Sequence, residues 1–573
     1  MSRAAGWWIS EWPLGHRVMA AAAALLLGAW LVGPETGETT PGSASQRIRE
    51  LLERPDGPRI DGQPLDSRAL ARFYRPRDFA PAWEAPDGGR DRSALLIRAL
   101  ATADAHGLDP GRYHLDAIRA RQSRGNGGQT AELDLLLTAA FLDYAREIRT
   151  GRLASGRRDP DWGIAAPSFD VVAALTEGVR RPTTFPALLA ALPPPAKEYG
   201  WLVEALRRYR SIAARSAWPV VPPGAALRVG DDDARVAAIR ARLAAEDERV
   251  SASTPTRFDG RLDADVRRFQ ARHGLAVDGV VGEATVRALN VPASDRIRQI
   301  ILNLERWRWL PRDLGPRHIT VNAADATLRV AEDGRTVLTS RVVVGDPQHP
   351  TPVVQAQVEA VILNPTWNVP TSIAAQEILP RLRENRRYLA ENDIVILERR
   401  ESDPFGLAVD WSAVSADAFP FRLQQRPGPD NPLGRIKLDV PNRFDVYLHD
   451  TPTRALFARP RRTASHGCIR VERADDLAAH VLSDETGRWT PRRLAEAIAG
   501  GGSSRIPVAR PLPVYILYWT AFGGPAGLVE FRDDVYGRDR YLDAALAVER
   551  HAPARDLARA IGGCPSPREE ASS

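Results

Sequence analysis

The 573-residue sequence predicts a multidomain α+β protein: a helical N-terminal half, a three-helix module and a mainly-β C-terminal domain with a helical insertion. Three observations predict it. Apolar residues recur at helical spacing between about 46 and 215, as in Leu137, Phe141, Tyr144 and Ile148. Proline-rich punctuation follows at Ala191–Gly200 (ALPPPAKEYG) and Trp218–Gly224 (WPVVPPG), the second an expected linker. Beyond Pro311 the pattern changes to apolar/polar alternation and solid Val runs, the signature of strands. The expected division is therefore 1–45, an N-terminal segment; 46–215, helical; 225–292, the small module; 310–545, the β-domain with an insertion at about 371–423; and 546–573, a tail.

The N-terminal segment reads as an address. Val18–Val32 (VMAAAAALLLGAWLV) is an unbroken apolar or small run, preceded by Arg3 and Arg17 and followed by Pro34 and a polar stretch to Ser45. Its length lies between a signal-peptide core and a full membrane span, and no good small-x-small cleavage site is near. Export is expected, with an uncleaved inner-membrane anchor favoured over a removed signal.

In the helical half, LLLTAAFLDYAREIRTGRL (Leu135–Leu153) carries the clearest helical stripe. In the small module, Val236, Ile239 and Leu243 share one helix face, Leu262, Val266 and Phe269 a second, and Val286 and Leu289 a third. HGLAVDGVVGEAT (His273–Thr285) supplies two glycine turns between them, with Asp278 read as a turn residue. In the β-domain, HITVNAADATLRVAEDGRTVLTSRVVVG (His318–Gly345) alternates across an Asp–Gly turn. IAAQEILPRLRENRRYLAEND then opens a helical, arginine-rich insertion. PVYILYWTAF and GLVEFRDDVYGRD read as a closing hairpin-like strand pair.

Composition excludes several classes. Hydrophobic content of 44% and charged content of 26% are those of a globular protein with a sizeable core. The net charge of +6 rests on arginine, since Lys197 and Lys437 are the only lysines. That mild excess suits an anionic polymer or a membrane surface and gives no sign of nucleic acid. With no G-x-x-x-x-G-K run and so few lysines, P-loop and Schiff-base chemistry are disfavoured.

Chemistry concentrates in SHGCIRV (Ser465–Val471) and YLHD (Tyr447–Asp450). Cys468 is one of two cysteines, and His449 lies nineteen positions before it. A thiol becomes a nucleophile as its thiolate, which a nearby imidazole can generate. Gly467 lets backbone N–H groups approach a developing oxyanion, joined by the N–H of Cys468 itself. His466 is a second candidate base. Tyr447 and His449 share one strand face, whereas Asp450 points to the other, so a backbone carbonyl is the expected orienter of the imidazole. Arg470 either anchors a substrate carboxylate or braces the loop. Taken alone, these residues also fit an inert buried cysteine, a Cys468–Cys564 disulfide, or zinc held by His449, His466 and Cys468.

The combination resembles a known family. SHGCIRV with its upstream histidine is similar to the signature of the L,D-transpeptidase catalytic domain, a cysteine acyltransferase acting on peptidoglycan. NPTWNVP (Asn364–Pro370) and QQRPGPDNPLGRIKLDVPNRFDVYLHDTP (Gln424–Pro452) match the same pattern. VRRFQARHGLAVDGVVGEATVRALN resembles a peptidoglycan-binding domain, and ALARFYRPRDFAPAW with AHGLDPGRYH resembles the N-terminal scaffold of the large, Gram-negative-type members.

The resemblance implies Cys468 as nucleophile and His449 as base, with Ser465, Gly467, Arg470, Tyr447, His466 and Trp367 around the substrate, Trp367 being equally a core residue. It implies a cap formed by the insertion. It further implies 3→3 cross-linking of tetrapeptide stems, donor and acceptor, through a thioester with release of D-alanine, in the periplasm and alongside cell-wall synthesis proteins. No cofactor or metal is expected. Same-site carboxypeptidase or exchange activity, a silent wall-binding scaffold and a zinc amidase stand as rivals.

Overall fold

The computed structural model describes residues 41–83, 89–124, 131–181, 183–215, 218–246, 256–397, 402–483, 487–524 and 528–551. The expected anchor at 18–32 and Cys564 lie outside these. Among the described residues no helix is long and apolar enough to cross a membrane.

The β-domain is built on nine strands: β1 (Arg317–Asn322), β2 (Thr327–Glu332), β3 (Arg335–Gly345), β4 (Val354–Leu363), β5 (Ile436–Asp439), β6 (Leu448–His449), β7 (Thr463–Ser465), β8 (Ile469–Val471) and β9 (Ser504–Leu517). They are ordered β7-β3-β8-β6-β5-β4-β9-β1-β2, and β2 also pairs with β3, which closes the sheet on itself. Closure removes free edges, and β7 hangs outside the ring, parallel to β3. Two hairpins, not one, open the domain: β1 turns into β2 through Ala323–Ala326, and the expected Asp–Gly turn then joins β2 to β3. The closing segment also differs from a plain strand pair. Val514–Leu517 joins the main sheet parallel to β1, and only Ala521–Gly523 and Val529–Phe531 form the hairpin. Val514–Ile516 is hydrogen-bonded on both sides, to β1 and to β4, and these bonds take the place of a local pairing.

Alternation fixes which face holds the site. Ile436, Leu438, Leu448, Ile469 and Val471 all enter the largest hydrophobic core. Their neighbours along the strands, Lys437, His449 and Arg470, face the other way.

The helical half has its own core, centred on the Ala131–Thr150 helix, which is buried nearly all round instead of along one stripe. Helices on several sides cover it, so even its polar residues are internal. Asp134 accepts from the N–H groups of Ala82 and Trp83 and from the Tyr74 hydroxyl. The small module is the expected bundle of Arg235–Glu246, Gly260–Arg272 and Glu283–Leu289, and its core contains Val236, Ile239, Leu243, Leu262, Val266, Phe269 and Leu289. Asp278 serves the turn, accepting from Val280 N–H at 2.9 Å and from Gln270 at 2.8 Å.

These units are packed against each other. Tyr199, Leu202, Leu206 and Tyr209 of the Lys197–Arg215 helix belong to the β-domain core. The expected linker is pinned, with Val221 and Asn290 exchanging two hydrogen bonds of 2.8 Å. Glu305, 1% exposed, ties the helical half to the Ala293–Arg308 helix. It accepts from Leu153 N–H (3.3 Å) and Trp309 Nε1 (3.1 Å) and pairs with Arg308 (2.9 Å).

The insertion carries the expected helices and, in addition, a three-stranded sheet of Trp367–Asn368, Leu423–Gln425 and Ile394–Ile396 around its own small core.

Removing one partner of a buried ion pair strands the other charge. Glu305→Ala is therefore expected to destabilise the full chain by about 3 kcal/mol or more, read as a lowered unfolding transition in denaturant.

Candidate active site

Cys468 stands in the turn between β7 and β8. Gly467 holds φ at +106°, a conformation that side chains rarely adopt. Ser465 ties the turn from within: its Oγ donates to the Cys468 carbonyl at 2.6 Å and accepts from Gly467 N–H at 3.2 Å. Thr351 braces it from behind, donating to the Gly467 carbonyl and accepting from Gly345 N–H, each at 2.8 Å. A Cβ at Gly345 would lie 3.1 Å from Gly467 Cα and 2.0 Å from the His349 carbonyl, so turn and strand meet backbone to backbone.

Of the two amides expected to face an oxyanion, that of Gly467 is occupied by Ser465. Among the described residues the Cys468 N–H has no acceptor. Cys468 carries a free thiol, which faces the Asp445 carbonyl at 3.9 Å. Burial raises its pKa above the ordinary thiol value. Hydrogen bonds from the Tyr447 backbone N–H and hydroxyl, and the positive charges of Lys437 and Arg470, pull the other way.

His449 is buried on β6. Its Nδ1 lies 2.6 Å from the Asp450 carbonyl, the expected backbone orienter. Burial, then the charge of Arg470, push its pKa down to about 3, so the ring is neutral. The 2.6 Å contact assigns the single proton of the neutral ring to Nδ1 and leaves Nε2 without one, and the Pro432 backbone also acts on the ring, favouring its protonated form. Asp450 turns away, accepting from Arg435 N–H (3.0 Å) and Arg454 (3.3 Å). The Tyr447 ring sits 5.6 Å from that of His449. No hydrogen bond joins His449 directly to Cys468, and Tyr447 neighbours both. Catalytic hydrogen bonds often tighten only when substrate binds.

The other expected site residues separate. His466 meets the insertion, its Nε2 2.7 Å from Glu377. Its ring lies 4.8 Å from that of His349, which bonds Asp346 at 3.2 Å. Glu377 belongs to a π-turn, Ala374–Ile378, a distortion that recurs at functional sites. Trp367 packs against the cap core. Arg470, on β8, makes no ion pair among the described residues, and its buried Nε lacks a hydrogen-bond partner. His449 and His466 thus serve different partners, and among the described residues no three His, Cys, Asp or Glu side chains are placed to hold a metal ion.

Three residues were not singled out for the site by sequence reasoning. Thr351 sits in a Thr-Pro pair that carries no local sign of its contact with the turn. Lys437 stood out only as one of two lysines. Glu377 carries no local signal, because the fold of the insertion alone brings it to His466.

Profiles of three domain families match this chain: a scaffold domain at 68–206, a peptidoglycan binding domain at 232–289 and an L,D-transpeptidase catalytic domain at 316–508. A Haemophilus influenzae protein named "Putative L,D-transpeptidase" is 34% identical over 252 residues, which cover 44% of this chain and 50% of that protein. The N-acetylmuramoyl-L-alanine amidase CwlM of Mycobacterium tuberculosis is 48% identical over 75 residues, 12% of this chain and 18% of that protein. The chain thus matches half of the first relative's length and less of the second's. Among solved structures, an L,D-transpeptidase of Stackebrandtia nassauensis aligns at 13% identity with a TM-score of 0.21, covering 55% of this chain and 100% of that one. The chain carries an L,D-transpeptidase catalytic domain. A scaffold domain and a peptidoglycan-binding domain precede it.

A buried neutral thiol beside a neutral imidazole alkylates slowly until the thiol itself titrates. The rate of Cys468 alkylation by iodoacetamide, followed by peptide mass spectrometry, is expected to climb steadily through pH 9. A plateau between pH 6 and 8 would instead reveal a thiolate–imidazolium pair.

Proposed function

We propose that this chain is an L,D-transpeptidase that forms 3→3 cross-links in peptidoglycan through a thioester on Cys468. The observation that supports it most is the combination at one turn. A cysteine with its own N–H unoccupied stands on a glycine turn beside Tyr447, whose ring lies 5.6 Å from that of a neutral, Nδ1-protonated His449.

The cycle follows from those protonation states. A tetrapeptide stem presents the carbonyl of its third, diamino-acid residue to Cys468. The thiol proton passes to His449 Nε2 as sulfur bonds the carbonyl carbon, and the carbonyl electron pair moves to oxygen. Cys468 N–H donates to that oxyanion. When the oxyanion collapses, the C–N bond breaks, His449 returns its proton to the departing amine, and D-alanine leaves. The side-chain amine of a second stem then attacks the thioester. Its proton is taken by His449, the C–S bond breaks, and the thiol is restored. The neutral resting pair fits this sequence, because an imidazolium would have no lone pair with which to begin.

The remaining domains suit the same substrate. The three-helix module holds the chain to glycan strands, and the basic surface favours an anionic wall. We place the protein outside the cytoplasm, in the periplasm, exported by residues 18–32 and held there at the inner membrane. The scaffold is the part available to cell-wall synthesis proteins.

Incubating the full chain with purified tetrapeptide muropeptides is expected to give tetrapeptide–tripeptide dimers, which Cys468→Ala abolishes and His449→Ala slows by about 10²–10⁴-fold. Tripeptide monomers alone would make water the acceptor and the activity a carboxypeptidase. Glycan binding without turnover by either protein would leave a wall-binding scaffold.

A further inference from the structure

Lys437, His449 and Arg470 form one row across three adjacent strands. Lys437 on β5 is in register with His449 on β6, which is in register with Arg470 on β8. Residues in register face the same side of a sheet, so two cations flank the imidazole on the face away from the core. The Lys437 ammonium lies 3.9 Å from the centroid of the Tyr447 ring, and its charge favours the Cys468 thiolate.

Neither cation has a carboxylate partner among the described residues, although carboxylates are close. Arg505, in the same row beyond Ile362, pairs with Asp439 at 2.9 Å. Arg435 pairs with Asp475 and Arg454 with Asp450. Glu377 is held by His466. Asp445, near Tyr447, makes no ion pair with either. The pattern is selective: neighbouring arginines are neutralised, and the two cations beside the nucleophile are not. Half-buried charges left without a counter-ion are costly, and here Arg470 also keeps a buried N–H unsatisfied.

We propose that Lys437 and Arg470 together bind a carboxylate of the donor stem peptide next to the scissile bond. The inference rests on the transpeptidase reading above and deepens it by adding a substrate-recognition residue, Lys437. A compact ammonium on one side and a planar guanidinium on the other offer one donor group to each carboxylate oxygen. In a stem whose third residue is a diaminodicarboxylic acid, two such groups lie beside the scissile bond, the terminal carboxylate of the leaving residue and the side-chain carboxylate of the third residue. Binding either one has a second effect. The anion offsets the positive field that disfavours protonation of His449, so the base strengthens as the substrate arrives.

The test is steady-state kinetics of the full chain with three synthetic donors: the free tetrapeptide, its C-terminal amide, and the analogue amidated on the third residue's side-chain carboxylate. Wild type is expected to prefer the free donor over one of the amides by about tenfold or more in kcat/KM, mostly in KM, and the disfavoured amide identifies the carboxylate bound. Lys437→Gln and Arg470→Gln are expected to erase that preference, and Lys437→Arg to restore most of it. If Lys437→Gln fails to turn over, calorimetric binding of the same donors to a Cys468→Ala protein with and without Lys437→Gln makes the same comparison. Equal use of all three donors by wild type, or full discrimination surviving in Lys437→Gln, overturns the inference and leaves the transpeptidase reading standing. No turnover of any donor by wild type overturns that reading, and the inference with it.

Discussion

The left-handed backbone at Gly467 decides where Cys468 stands, and several otherwise separate features exist around that turn. Ser465 closes it from inside and Thr351 from behind. Thr351 is in turn buried against the C-terminal segment, where Arg538 donates to its carbonyl at 3.0 Å. Tyr536 donates to the Gly345 carbonyl at 2.7 Å, on the strand that touches the turn. The position of a single sulfur therefore depends on residues nearly two hundred positions apart. A side chain on a loop fixed by backbone contacts loses little freedom when a substrate arrives, which is how orientation contributes to rate.

Electrostatics at the turn keep the thiol and the imidazole uncharged. Burial disfavours charge on Cys468 and on His449 alike. The neighbouring cations favour a thiolate and oppose an imidazolium, so neither partner ionises alone at neutral pH. A resting thiol of this kind is also less exposed to chance oxidation than a thiolate. The cap adds a second layer, since its contact with the nucleophile loop runs through Glu377 and His466, both partly exposed to solvent. An ion pair as exposed as this one contributes little to stability.

Much of this was legible in the sequence because it is local. Helical spacing gave the three helices of the small module, alternation gave Tyr447 and His449 a common face, and adjacency in a strand excluded Asp450 as the orienter. The motif around Cys468 offers a candidate nucleophile, and the fold stands it on the Gly467 turn. What was not legible is non-local. The Lys197–Arg215 helix has an ordinary amphipathic pattern, and nothing in it says that its apolar face belongs to the β-domain core. The row of Lys437, His449 and Arg470 depends on strand register over thirty-three residues of chain. Glu377 reaches His466 only because the insertion folds around a core of its own. The Gly467 amide was expected at the oxyanion, but a serine two residues away takes it, a competition that spacing cannot reveal.

The central claim is that an acyl group from the donor stem is carried on Cys468. It is tested most directly by intact-protein and peptide mass spectrometry of the full chain, quenched in acid after mixing with a tetrapeptide donor and no acceptor. The account predicts an adduct with the mass of the stem lacking its last residue, located on the peptide that contains Cys468 and absent from Cys468→Ser. Turnover without any such adduct, or an adduct on another residue, would contradict it.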